Sequence, residues 1–203
     1  MKKKKRGKKR ENFLKEQYSK SWSYLKSSRE FIYSAILIFF IFAVMGFLFP
    51  VPEQIKEQIM NMIQELLEKT KGMSGLELTN YIFWNNLQSS FFGMVFGVFF
   101  GAFSIIVALV NGYVLGFVGK MVVAEAGFFS LWTLFPHGIF ELPAIFISLG
   151  LGLKIGSFIF QKKKIYSFKN YFWSSLRVFI FIVIPLLIAA AIIEGSLIAL
   201  LGG

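Results

Sequence analysis

Residues 31–49 read FIYSAILIFFIFAVMGFLF, with no charged side chain anywhere in the run. A helix of this length, at about 1.5 Å per residue, matches a hydrocarbon core of about 30 Å. A soluble core does not need so long an uninterrupted apolar run. We therefore read the stretch as a transmembrane helix. Pro50 and Pro52 end it, because neither can donate a backbone N–H.

Immediately upstream the chain changes character. Residues 1–10 read MKKKKRGKKR, and twelve of the 22 Lys and Arg fall within the first 30 residues. Such a net charge of +11 in a soluble protein would point to nucleic acid. Here the charge is gathered at one end, beside an apolar run. It is a topology signal that keeps this end cytoplasmic and a contact for anionic headgroups, so no nucleic-acid partner is expected. Phe13, Leu14, Tyr18, Trp22, Tyr24 and Leu25 lie among charges within 11–30, at helical spacing. They predict an amphipathic helix on the cytoplasmic face. The chain thus divides into a basic tail with its amphipathic helix, 1–30, and a transmembrane domain, 31–203. No cleaved signal peptide is expected.

Downstream, Ile55, Ile59, Met62, Ile63, Leu66 and Leu67 recur at helical spacing, with Glu53, Lys56, Glu57, Glu65, Glu68 and Lys69 on the other side. This predicts an amphipathic helix over 53–71 outside the membrane, lying on lipid or against a partner. Further spans are expected at about 85–110, 112–129, 137–160 and 172–199. The Asn111-Gly112 pair is read as the turn between the second and third. Five spans place the Lys162–Lys164 loop on the same side as the basic head, as the positive-inside rule requires. The N-terminus is then cytoplasmic and the C-terminus outside, in a multi-pass plasma-membrane protein. The fold class expected is an all-α polytopic transmembrane bundle.

Composition agrees. Hydrophobic residues make up 56% and charged residues 16%, against roughly 45–50% and 25% for a soluble domain. Cysteine and aspartate are absent and His137 is the single histidine, so thiolate chemistry and most metal sites lack their ligands. No nucleophile has a base and acid partner, and no phosphate-binding loop is present. We expect no enzyme, no cofactor and no metal.

Glycine repeats mark helix contacts. Gly93, Gly97 and Gly101 lie four apart, as do Gly112 and Gly116, and Gly152 and Gly156. Residues four apart share a helix face, and in lipid close backbone approach drives association. Packing within the chain is the plain reading, and a homodimer seam the other. Among intramembrane polar groups, Lys154 is expected to snorkel to the cytoplasmic interface, Glu194 to reach headgroups, and Lys120 either to pair with Glu125 or to leave it interfacial. The densest constellation is PHGIFELP, residues 136–143. His137 and Glu141 share a helix face, and Pro143 frees a carbonyl and invites a kink or re-entry. With Asn85 and Asn86 they form either a proton or ion site or a buried polar knot that fixes helix register. One His and one Glu are too few for a dedicated metal site, which favours the knot.

Three stretches carry a resemblance: Asn85-Asn86 opening a glycine-patterned span, NGYVLG at 111–116, and PHGIFELPAIF at 136–146. Together they resemble the stage II sporulation protein M family of membrane proteins, over about residues 31–200. The resemblance implies a non-enzymatic role. In spore formers the namesake resembles a membrane platform that holds peptidoglycan-degrading partners during engulfment, and the family supplies no catalytic residues. His137, Glu141 and Pro143 transfer as motif positions only. The function expected is a membrane scaffold or anchor for a protein partner or a second copy. The alternative is a transporter component with a polar site at His137 and Glu141.

Overall fold

Ser28 interrupts the helical N-terminus where the charged segment meets the apolar one. In the computed structural model α1 (Lys2–Ser27) ends there and α2 (Arg29–Leu48) begins. The structure describes the backbone of residues 2–201 and the side chains of residues 11–131 and 141–193. Beyond Pro50 and Pro52 runs α3 (Glu53–Thr70), then α4 (Gly75–Val95), α5 (Ala102–Ala126), α6 (Phe135–Gly156), α7 (Lys164–Val178) and α8 (Ile184–Leu201). Short 3₁₀ segments link several of them, and a π turn, Phe179–Val183, joins α7 to α8. The protein is an all-α polytopic bundle.

Contacts fix the helix directions. Gly112 and Gly116 of α5 meet Phe39 and Ala43 of α2 in the same order, so these two helices run parallel. Asn86 meets Glu141 and, two turns on, Gly93 meets Leu149, so α4 and α6 are also parallel. Ile32 meets Gly150 and Phe39 stacks edge-on with Phe146, which makes α2 and α6 antiparallel. The largest buried cluster, around Met94, Leu151, Ile155, Val178, Val183 and Leu187, joins α4, α6 and the α7–α8 rod.

Among the described residues four helices are long and apolar enough to cross a membrane: Arg29–Leu48, Ala102–Ala126, Glu141–Phe160 and Lys164–Ile193. Helix α4 is not one of them, since Asn80, Asn85, Asn86 and Gln88 lower its hydropathy, yet it lies along α6 through the bundle. The Asn111-Gly112 turn does not form. Both residues sit inside α5, where the Asn111 amide donates to the Val107 carbonyl one turn back (2.8 Å) and Gly112 is buried against the Phe39 backbone. The chain reverses instead at Phe96–Gly101. Phe100 takes φ 57° and Gly101 φ 75°, a left-handed pair that only glycine adopts without cost. The buried Ser104 hydroxyl donates to the Gly93 carbonyl across the reversal (2.8 Å). Asn-Gly is a turn signal in water, but in lipid a continuous helix satisfies its own backbone.

Two prolines fall inside helical segments. Pro143 lies inside α6 with its ring exposed, and α6 continues through it without re-entry. Pro185 has no N–H for the Phe181 carbonyl, and the preceding turn widens so that Ile184 N–H bonds the Phe179 carbonyl.

Candidate functional site

The polar side chains of the bundle gather in two places at different depths. Toward the α2 C-terminal end, Asn86 on α4 donates its amide to a Glu141 carboxylate oxygen on α6. Both side chains are partly buried. This bond ties two parallel helices at a single register. Asn85, one residue away, points outward and is exposed, and Asn111 bonds only its own helix. Of the expected cluster of Asn85 and Asn86 with the PHGIFELP stretch, the described residues bring together Asn86 and Glu141. His137 lies in the first turns of α6, and its side chain, like that of Glu194, falls outside the described residues. Lys120 does not pair with Glu125; it reaches the Phe49 carbonyl at 3.4 Å.

From this bond toward the opposite end, α4 and α6 close on each other through glycine. A Cβ on Gly97 would overlap the Gly152 carbonyl, one on Gly152 the Ser104 hydroxyl, and one on Gly156 the Gly101 amide. Gly93 faces Leu149, and Gly101 packs on Leu153. A second contact of the same kind joins α5 to α2, where Cβ atoms on Gly112 and Gly116 would overlap the Phe39 and Ala43 carbonyls. Both contacts lie within one chain.

The second polar centre departs most from expectation. Lys154 does not snorkel. Its side chain turns inward, the residue is 7% exposed, and its ammonium is held where α1 meets α2. Nζ donates to the Ser28 hydroxyl (2.9 Å), the Ser27 hydroxyl (2.9 Å) and the Ser27 carbonyl (3.1 Å). It sits 4.1 Å from the Tyr24 ring centroid and 5.8 Å from that of Tyr171. Both serine hydroxyls donate in turn to the Tyr24 carbonyl. Burial pushes the Tyr24 phenol up to about 12, so the ring stays neutral against the cation. No carboxylate lies within ion-pair distance of Lys154 among the described residues. An ammonium taken out of water without an anion needs such oxygens and aromatic faces in its place. The signal was present as Tyr24, Ser27 and Ser28 ahead of the first span, but nothing in their spacing pointed to a lysine 126 residues later.

At the far end of α2, helix α3 stands apart. Ile59 is its one buried residue, while Ile55, Met60, Met62, Leu66 and Leu67 are exposed. Among the described residues no group of three His, Cys, Asp or Glu is placed to hold a metal ion.

Glycine-locked parallel helix pairs, four helices apolar enough to cross a bilayer and polar groups tied helix to helix define a polytopic membrane protein. The sequence pattern of one family, Stage II sporulation protein M, matches residues 35–197, and the chain belongs to that family. No curated protein and no solved structure matches it.

Proposed function

We propose that the protein is a non-catalytic membrane scaffold that holds a partner through α3. The single observation that carries this reading is α3 itself: an amphipathic helix whose apolar face, Ile55, Met62, Leu66 and Leu67, is open while its charges pair locally. Exposed apolar stripes rimmed by charge mark interaction surfaces. Support for the orientation comes from the end shared by α1, the Phe96–Gly101 reversal and the Lys162–Lys164 loop, which is the basic end and hence the cytoplasmic one. In this reading α3 and the C-terminus face outside. The partner is a protein or a second copy of this chain, and the Asn86–Glu141 bond serves helix register rather than transport.

The test is purification from native membranes, with a photo-crosslinking residue at Leu67. A stoichiometric complex crosslinked at position 67, and lost in Leu66→Glu, is the expected result. A lone monomer crosslinked at position 67 to lipid alone would overturn the proposal. For orientation, a tag after Met1 should be protected from external protease and one after Gly203 cleaved.

A further inference from the structure

Helix α1 leaves a groove of about 530 Å³ where it crosses the α7–α8 rod, within the range of ligand sites, roughly 300–1,000 Å³. Tyr18, Ser19 and Trp22 form one wall; Phe181, Pro185 and Leu186 form the other. Tyr18 is stacked edge-on against Phe181 at 5.5 Å. The far wall comes from the π turn and the first turn of α8. The groove is apolar along its length, and a cation stands beside one of its rings. Lys26 holds its ammonium 5.9 Å from the Trp22 ring centroid. Lys15 and Lys20 are paired with Glu11 and Glu16, but Lys26 has no carboxylate partner among the described residues. The N-terminal turns of α1 itself carry eight more basic residues.

An apolar slot on an aromatic-lined helix at the basic end of a membrane bundle, with the unpaired Lys26 ammonium held against one of its lining rings, suits a lipid with an anionic headgroup. We infer that this groove binds an anionic diacyl phospholipid, with an acyl chain between Trp22 and Pro185 and its phosphate against Lys26. A zwitterionic lipid offers the same chain without the net charge. The site differs from the general attraction of the tail for anionic membranes, because it is a single place with defined walls.

The test uses Trp22 as the reporter. A full-length chain with Trp84→Phe, Trp132→Phe and Trp173→Phe is placed in vesicles containing a small fraction of brominated phosphatidylglycerol or brominated phosphatidylcholine. The expected result is a preference for quenching by the anionic lipid, about fivefold for one lysine facing one net negative headgroup charge. Lys26→Gln should bring the two lipids together, and Ser19→Phe, which fills the slot, should remove the quenching preference while the tail remains intact. A companion chain keeping only Trp173, which is exposed on α7, reports enrichment around the whole protein. Equal quenching of Trp22 by both lipids would overturn the inference. So would an equal anionic preference at Trp173, or a preference unchanged by Ser19→Phe.

Discussion

Replacing Lys154 by methionine keeps the length of the stem and removes the cation. Three oxygen acceptors at 2.9–3.1 Å are lost. Hydrogen bonds to a charged group contribute about 1.5–3 kcal/mol each. The Tyr24 face at 4.1 Å contributes about 0.5–2 kcal/mol. Against this stands the desolvation of an ammonium, several kcal/mol, which the substitution also removes. Two of the acceptors are hydroxyls that keep their own donor bonds to Tyr24, so the residual penalty falls mainly on the Ser27 carbonyl. The net loss is about 2 kcal/mol, or about 30-fold in the docked population of α1. Hydrogen exchange of the reconstituted protein reads this directly. Amides of residues 18–27 should exchange about 30-fold faster in Lys154→Met, while those in the α4–α6 contact hold their protection. Lys154→Arg should fall between, because a planar fork does not fit a mouth shaped for a point cation. Unchanged exchange across α1, with the bundle intact, would refute the view that Lys154 pins α1.

Gly97→Ala should destabilise the bundle by about 1–3 kcal/mol, since the added methyl meets the Gly152 backbone, whereas Gly75→Ala, with open space around it, should be neutral or better; thermal unfolding in detergent compares them, and equal midpoints would count against the close contact. Asn86→Leu should cost about 0.6–2 kcal/mol in the same assay while Glu141→Gln stays near the wild type, because an amide at 141 can still accept from Asn86. A third case is pH. The Ser74 backbone N–H, and then its hydroxyl, hold the Glu77 carboxyl below its ordinary value of 4.5. A carboxyl depressed by folding stabilises α4 fully above that value and loses the effect as pH falls through the lower folded value. Protection at the first turn of α4 should therefore decline in acid, and Ser74→Ala, which keeps the backbone N–H and removes the hydroxyl, should lessen that decline; a pH-independent first turn in the native protein would contradict it.

The apolar run at 31–49 and the basic head were legible because hydropathy and charge act over many residues at once. The same holds for the 53–71 helix, read within a residue of its observed bounds. What escaped were events decided by single contacts. Asn111-Gly112 has the local chemistry of a turn, yet Gly112 is consumed by a helix contact and Asn111 by its own helix. The true reversal at Phe96–Gly101 is signalled locally by two glycines among phenylalanines, which in sequence read as part of a packing stripe. The polar site divided in the same way. Helical spacing put Asn86 and Glu141 within the right turns, but only the packing decides that Asn85 faces out. Lys154 lay a plausible distance from an interface, and snorkelling was the cheaper account until Ser27, Ser28 and Tyr24 closed around it.

The same contacts explain why α1 and α3 belong in one account. They flank α2, whose 20 residues span about 30 Å, so they sit at opposite ends of one rod. Helix α5 locks α2 along that rod through Gly112 and Gly116, and Lys154 on α6 grips the end where α1 begins. A partner that loads α3 would, through the short link at 49–52, pull on a helix braced along its length. Crosslinking at Leu67 and exchange across residues 18–27 are then two readings of one element. Binding at α3 should leave α1 protection unchanged or raised in the wild type. A drop in α1 protection on binding would mean that α2 slides between α5 and α6, which the overlapping glycine contacts forbid without a break in the bundle.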